Sequence, residues 1–172
     1  ATLIVMGITG KSGVKQVLFG SNTLKLIDNN LYPVMIIPPD AGYHGISNVA
    51  FASDFKNVTM TTPSVLIGTV LEMFNPKLHI VNINPAHYVS ITEECRVEKE
   101  KLEAMFSKYE TEFYFIGIND FFEAIDNFVK DYHIDVLVTI PKHQSNSTPF
   151  FKRTHTHKLA FHSHIPILAA HE

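Results

Sequence analysis

Leu3-Ile4-Val5-Met6-Gly7-Ile8-Thr9-Gly10, followed nine residues later by Gly20-Ser21, is the stretch that decides how this chain folds. Leu3 to Met6 is a short apolar run of the kind buried in a parallel sheet. Apolar residues then recur at Val14, Val17, Leu18, Leu24 and Ile27, a helical spacing that Asp28-Asn29-Asn30 ends. A glycine-rich turn between a strand and a helix is where an α/β sheet can hold phosphate. Glycine lets the backbone approach the anion, and free N–H groups at the helix start point towards it.

Beyond this motif the chain alternates apolar runs with amphipathic ones. The pattern predicts strands at Pro33–Ile37, Val49–Ser53, Leu78–Ile83, Glu112–Ile116, Val136–Ile140 and Ile165–Ala169. Helices are expected at Thr62–Phe74, Ile91–Tyr109, from the Asp120 cap to about Tyr132, and at Phe150–His162. Asp40–Ser47 is turn-rich and reads as a connector. From Val49 onward strands and helices alternate, which implies a doubly wound parallel α/β sheet with helices on both faces.

The bulk composition excludes several functions. Of the 172 residues, 45% are hydrophobic and 18% charged, as in an ordinary globular protein. The net charge of −3, with Lys and Arg scattered, gives no nucleic-acid surface. No apolar run reaches the roughly 18 residues needed to cross a bilayer, so no membrane partner is expected. No stretch reads as a signal peptide. The lone Cys95 allows no internal disulfide and fits a reducing, cytoplasmic setting. Ala1-Thr2-Leu3 enters a strand without an initiator Met, which reads as a piece of a longer protein.

The chain also repeats itself. Leu3-Ile4-Val5-Met6-Gly7 aligns with Val136-Leu137-Val138-Thr139-Ile140, and Pro33-Val34-Met35 comes close to Pro166-Ile167-Leu168. In this frame Gly7 falls on Ile140, Gly10 on His143, and Gly20-Ser21 on Arg153-Thr154. The second copy therefore keeps the β-α-β frame and loses all three glycines. Ile140 puts bulk where a phosphate would approach, and Pro141 removes an N–H donor.

The glycine spacing resembles the ATP-binding signature of the universal stress protein family, G-x2-G-x9-G-[S/T]. The arrangement is similar to a tandem member of that family. Residues 1–40 look like the last β-α-β of a first domain, and 41–172 like a complete second domain with a degenerate motif. The resemblance implies a Rossmann-like, adenine nucleotide α-hydrolase-like sheet of five parallel strands in the order 3-2-1-4-5, plus the extra N-terminal β-α-β. It implies a stress-response role with ATP, and Mg2+, as ligand. Gly7 and Gly10 would line the triphosphate and ribose; Gly20, Ser21 and Asn22 would hold phosphate oxygens; Met6 and Thr9 would flank the nucleotide. Asp54, in Ala52-Ser53-Asp54-Phe55, and Ile83 match the adenine–ribose side of the pocket, but in the other domain. The family also pairs the last strands of its units, here Pro33–Ile37 and Ile165–Ala169, so a pseudo-dimer or homodimer is expected there.

Other constellations carry less. Asp54 equally suits capping of the turn that follows it. His155, His157, His162 and His164 crowd ten residues, yet His155 and His157 fall on nearly opposite sides of a helix, and no Cys or close carboxylate completes a metal set. Ser21 lacks a nucleophile elbow, and nothing poises Cys95 as a thiolate, so no enzyme is expected. Glu93, Glu94, Glu98, Glu100 and Glu103 with Lys99 and Lys101 read as a solvated helix face. Phe150 and Phe151 read as a plug for the vacated second pocket. Two functions remain: a nucleotide-binding regulator, or an interaction module without a ligand.

Overall fold

The computed structural model describes residues 3–7, 32–84, 90–141, 159 and 163–170. Seven strands are present: β1 (Ile4–Gly7), β2 (Val34–Ile37), β3 (Asn48–Ala52), β4 (Lys77–Ile83), β5 (Thr111–Ile116), β6 (Val136–Thr139) and β7 (Ile167–Ala169). Each lies within two residues of its expected bounds. The described helices are α1 (Val58–Thr61), α2 (Ser64–Phe74), α3 (Glu93–Met105) and α4 (Phe121–Asp131). The expected helix from Thr62 starts at Ser64 with Pro63 at its N-cap, and the short α1 before it is additional to the expected elements. The helices expected at Val14–Ile27 and Phe150–His162 fall outside the described residues, apart from Leu159, which is helical and buried.

All seven strands form one sheet in the order β1-β2-β7-β6-β3-β4-β5. Counting β3 as the first, β5-β4-β3-β6-β7 is the expected 3-2-1-4-5 arrangement, and its pairs are all parallel. The N-terminal strands are not a separate appendage. β1 joins β2 in parallel, and β2 joins β7 antiparallel, extending the five strands to seven.

The repeat is visible in the ladders. Ile4 pairs with Val34 and Met6 with Ile36; at the aligned positions, Leu137 pairs with Ile167 and Thr139 with Ala169. Across the junction Met35 stands opposite Leu168, its own counterpart in the repeat. A local two-fold therefore passes between those two residues. The two edges that the sequence singles out for dimerisation pair with each other inside one chain.

Strand alternation feeds two cores. Val34, Ile36, Ala50, Val81, Leu137 and Ile167 pack with α4 and Leu159 on one face. Met35, Val49, Phe51, Ile80, Val138 and Leu168 pack with α2 and α3 on the other. Burying each large aliphatic side chain contributes roughly 1.5–3 kcal/mol, so a strand apolar on both faces is held twice.

One polar group interrupts the first core. His79 of β4 is 3% exposed. Its Nδ1 lies 3.0 Å from the Tyr114 hydroxyl and its Nε2 3.0 Å from Asn48 Oδ1. An Nε2–H that donates to Asn48, with Nδ1 accepting from Tyr114, satisfies both nitrogens in the neutral ring. The ring stacks on Tyr114 and meets Phe128 and Tyr132 of the α4 region. Burial, and next the Lys77 ammonium, hold the His79 pKa below its ordinary 6.5, while Glu112 and Glu110 pull weakly the other way. The folded ring stays neutral at a pH where the unfolded one takes a proton, so stability falls as pH drops below 6.5. We expect urea unfolding from pH 7 to 5 to show a loss of up to roughly 1.4 kcal/mol per pH unit from this one group. In His79→Phe that slope is shallower by the same amount, although the variant is less stable throughout.

Candidate functional site

In a doubly wound sheet, ligands sit at the carboxyl ends of the strands, where successive crossovers part in opposite directions. Here that point lies between β3, whose chain continues to β4, and β6, whose chain continues to β7. The strand ends there are Ser53-Asp54-Phe55 after β3 and Ile140-Pro141 after β6.

The β3 end is a tightly bonded turn. The Phe55 N–H donates to Ser53 Oγ at 3.2 Å, and the Lys56 N–H donates to Asp54 Oδ1 at 3.2 Å. These are successive hydroxyl and carboxylate turns, each a side chain bonding two residues on. The Asn82 amide donates to the Ser53 carbonyl at 2.7 Å and ties the turn to β4. Asp54 is buried and holds the turn, the structural use that the sequence also allowed.

Phe55 packs at this strand end on the β5 side, away from β6. Its φ of 52° is in the left-handed region that few bulky residues adopt. The strained backbone turns the ring into the core, where it meets Phe115 and Phe113 edge-on at 5.3 and 6.3 Å. Ile140 is buried in the same apolar cluster.

Beside the turn, α1 has no side-chain cap of its own. Glu98 of α3 supplies one, its Oε2 accepting from the Val58 N–H at 2.7 Å. Burial raises the Glu98 carboxyl, but the Lys101 and Val58 hydrogen bonds outweigh it and leave the pKa below the usual range. Glu98 therefore departs from the solvated face read in the sequence. The partner it caps is 40 residues away, so no helical periodicity could reveal it.

The other candidate lies at the end of β1. Met6 points into the first core and Gly7 is exposed. A Cβ built on Gly7 would meet nothing within 4 Å. Gly7 is thus open where Ile140, its counterpart, is packed. Thr9, Gly10, Gly20, Ser21 and Asn22 fall outside the described residues. Of the glycine motif only Gly7 is described, and Asp54 does not lie beside it. β1 runs opposite to β3 because β2 meets β7 antiparallel, so Gly7 and Asp54 lie at opposite ends of the sheet. Four strand spacings, roughly 19 Å, separate them sideways as well. Ile83, at the end of β4, sits at the Asp54 end.

No protein-family model matches the sequence, and no curated protein matches it either. Solved structures do match. A universal stress protein from Archaeoglobus fulgidus superposes with a TM-score of 0.66 at 18% identity, over 99% of this chain and 61% of its own. A putative universal stress protein from Pseudomonas aeruginosa gives 0.65 at 14% identity, over 98% and 63%. A universal stress protein solved in complex with cAMP gives 0.54 at 16% identity, over 74% of this chain and 98% of its own.

The chain has the universal stress protein fold.

It spans 61–63% of the length of the two longer universal stress proteins. Against that fold the remaining candidates fall into place. Cys95 is a buried residue of α3 whose thiol is pushed up by burial, the opposite of an activated nucleophile. His164 bonds Asp40 at 2.5 Å through Nδ1. That bond holds the Asp40 carboxyl below its usual range. Among the described residues no three metal-ligating side chains converge; His155, His157 and His162 fall outside them. No described helix is long and apolar enough to cross a membrane.

Phe55 and its neighbour Asp54 differ in what their side chains hold. We expect Phe55→Ala to cost about 3–5 kcal/mol of unfolding free energy, because a buried aromatic is lost from a packed strand end. Asp54→Asn keeps the turn acceptor and is expected to change stability by less than about 0.5 kcal/mol. Urea denaturation of the two variants checks both values.

Proposed function

We propose that this chain is part of a nucleotide-binding regulatory protein of the universal stress type, and that its two units divide the work. The first unit, 1–40, carries the ligand motif. The second, 41–172, is a complete universal stress unit that has given up ligand binding. The observation that carries this reading is the contrast between register-equivalent residues, Gly7 open and Ile140 buried.

ATP is the ligand that the glycine spacing favours, with Mg2+ neutralising its phosphates. Gly7 and Gly10 would let the backbone approach the triphosphate, Gly20, Ser21 and Asn22 would hold its oxygens, and Met6 and Thr9 would flank the nucleotide. The cAMP held by a universal stress protein that matches three-quarters of this chain supports an adenine nucleotide as the class. The second unit's Asp54 takes no part, since it lies at the far end of the sheet. No catalytic constellation accompanies the motif, so we read the nucleotide as a regulatory ligand and the protein as cytoplasmic and non-enzymatic.

A second reading has its own support. The unit that is complete is the one whose β3 and β6 ends carry the buried Phe55 and Ile140. On that reading the chain is a structural or interaction module, and nucleotide never binds to it.

Calorimetric titration with Mg-ATP and with cAMP separates the two. Saturable binding that Gly10→Val abolishes and Asp54→Asn leaves within about twofold supports the first reading. Absence of binding in a folded sample supports the second. Binding abolished by Asp54→Asn would overturn the division of labour between the units.

A further inference from the structure

A row of polar side chains shares the α4 face of the sheet. Strand alternation and register put Asn48 of β3, Lys77 and His79 of β4, and Glu112 and Tyr114 of β5 on that side. His79 stands directly opposite Glu112, and Lys77 opposite Asn48. The Asn48 amide sets the direction of the bonds. Its nitrogen donates to the His133 carbonyl at 3.4 Å, so its oxygen is the atom that faces His79 Nε2. Nε2 therefore carries a hydrogen, which leaves Nδ1 of the neutral ring as an acceptor.

The Tyr114 hydroxyl then has two claimants. His79 Nδ1 lies 3.0 Å from it, and the Glu112 carboxylate, two residues back on the same strand, also bonds to it. The hydroxyl has one hydrogen and cannot serve both. With the ring neutral, that hydrogen goes to Nδ1, and the carboxylate is left with its Lys77 bridge at 2.7 Å. A proton arriving on Nδ1 reverses the first bond. Nδ1–H then donates to the Tyr114 oxygen, and the hydroxyl hydrogen turns to Glu112. Every hydrogen has an acceptor in both states, and one proton has been taken from solvent.

Charge favours the same outcome. The ring is faced by Lys77 from its own strand, by Glu110 and Glu112 from β5, and by the Phe128 and Tyr132 rings from the α4 region. From β3 it is faced by Asn48, whose backbone N–H is held by Asp135. Lys77 bridges both Glu110 and Glu112, so one ammonium meets two carboxylates. The excess negative charge is cancelled by an imidazolium at His79.

We propose that His79, Tyr114 and Glu112 form a proton-operated switch, in which the Tyr114 hydroxyl turns from the His79 ring to the Glu112 carboxylate when the ring takes a proton. The second unit can then accept a proton inside its core without opening. Burial, and next Lys77, hold the ring's pKa below 6.5, so the switch turns below that pH. The loss of stability on acidification stops where the folded ring itself becomes charged.

Nitrogen-detected NMR of the histidine rings in the 172-residue chain tests this, with His79 assigned from the spectrum of His79→Phe. We expect the Nε2–H tautomer at about pH 8 and a step to the imidazolium at acid pH. Tyr114→Phe keeps the ring and removes the hydroxyl. It should lower the proton affinity of His79 about tenfold, because the charged N–H loses its acceptor. A hydroxyl that served the neutral ring alone would give the opposite sign, since its loss would favour the imidazolium. Glu112→Gln should lower the affinity too, and by a smaller factor in the Tyr114→Phe background. A raised affinity in Tyr114→Phe overturns the proposal, as does an Nδ1–H tautomer at about pH 8. So does an equal effect of Glu112→Gln in both backgrounds, which means charge acting through space. If Tyr114→Phe does not fold, the Tyr114 Cζ resonance decides. It should shift with the His79 titration in the unmodified chain and shift less in Glu112→Gln; shifts of equal size overturn the proposal.

Discussion

The antiparallel seam between β2 and β7 is the constraint on which this molecule is built. Its short register, Val34–Ala169, Met35–Leu168 and Ile36–Ile167, joins residues more than a hundred positions apart. Every one of those side chains is buried, alternately in the two cores. The seam is the one place where strand direction reverses, and the reversal comes from a two-fold relation between two copies of the same β-α-β unit. Pairing of like edges also covers two apolar edge strands at once, which removes the hazard that each would present alone.

That reversal fixes where the strand ends fall. β1 and β3 point their carboxyl ends to opposite margins of the sheet, so Gly7 and Asp54 stand far apart. The carboxyl end of β3 is packed. Phe55 accepts a left-handed backbone, costing on the order of 1–2 kcal/mol, to place an aromatic ring that contributes more through burial. A phosphate cradle needs glycine, free N–H groups and space; a stable strand end needs the reverse. Ile140 and Gly7 occupy one position in the repeat and stand on the two sides of that choice.

Strand positions were legible because strands apolar on both faces leave dense, short runs, and Val34–Ile37 or Val136–Thr139 reads as little else. The order of five strands followed from alternation with helices and from crossover handedness. The seam was legible only through the family resemblance, since nothing local in Pro33–Ile37 says which strand it meets. What stayed hidden was long-range polar pairing. Glu98 looks like one of five solvated glutamates until α1 is seen to lack a cap. His79 sits in the run Lys77–Ile83 with no hint that Asn48 and Tyr114, 31 and 35 residues away, satisfy its two nitrogens. The short α1 was hidden for a different reason, because four residues are too few for a periodicity to show.

The polar cluster around His79 lies towards the amino ends of β3 and β4, opposite the Asp54 turn. Asp135 caps the start of β3 there, accepting from the Ser47 and Asn48 N–H groups at 2.7 and 2.9 Å, while the Asn48 side-chain oxygen faces His79. A buried ring with two directional partners fixes the register of three strands more strictly than apolar packing, which tolerates exchange among residues of similar size. Burial raises the Tyr114 hydroxyl pKa, which keeps it protonated as a donor towards His79 across the working range. The second unit is thus pinned by directional polar contacts at both margins, the His79 cluster at one and the Ser53–Asn82 turn at the other.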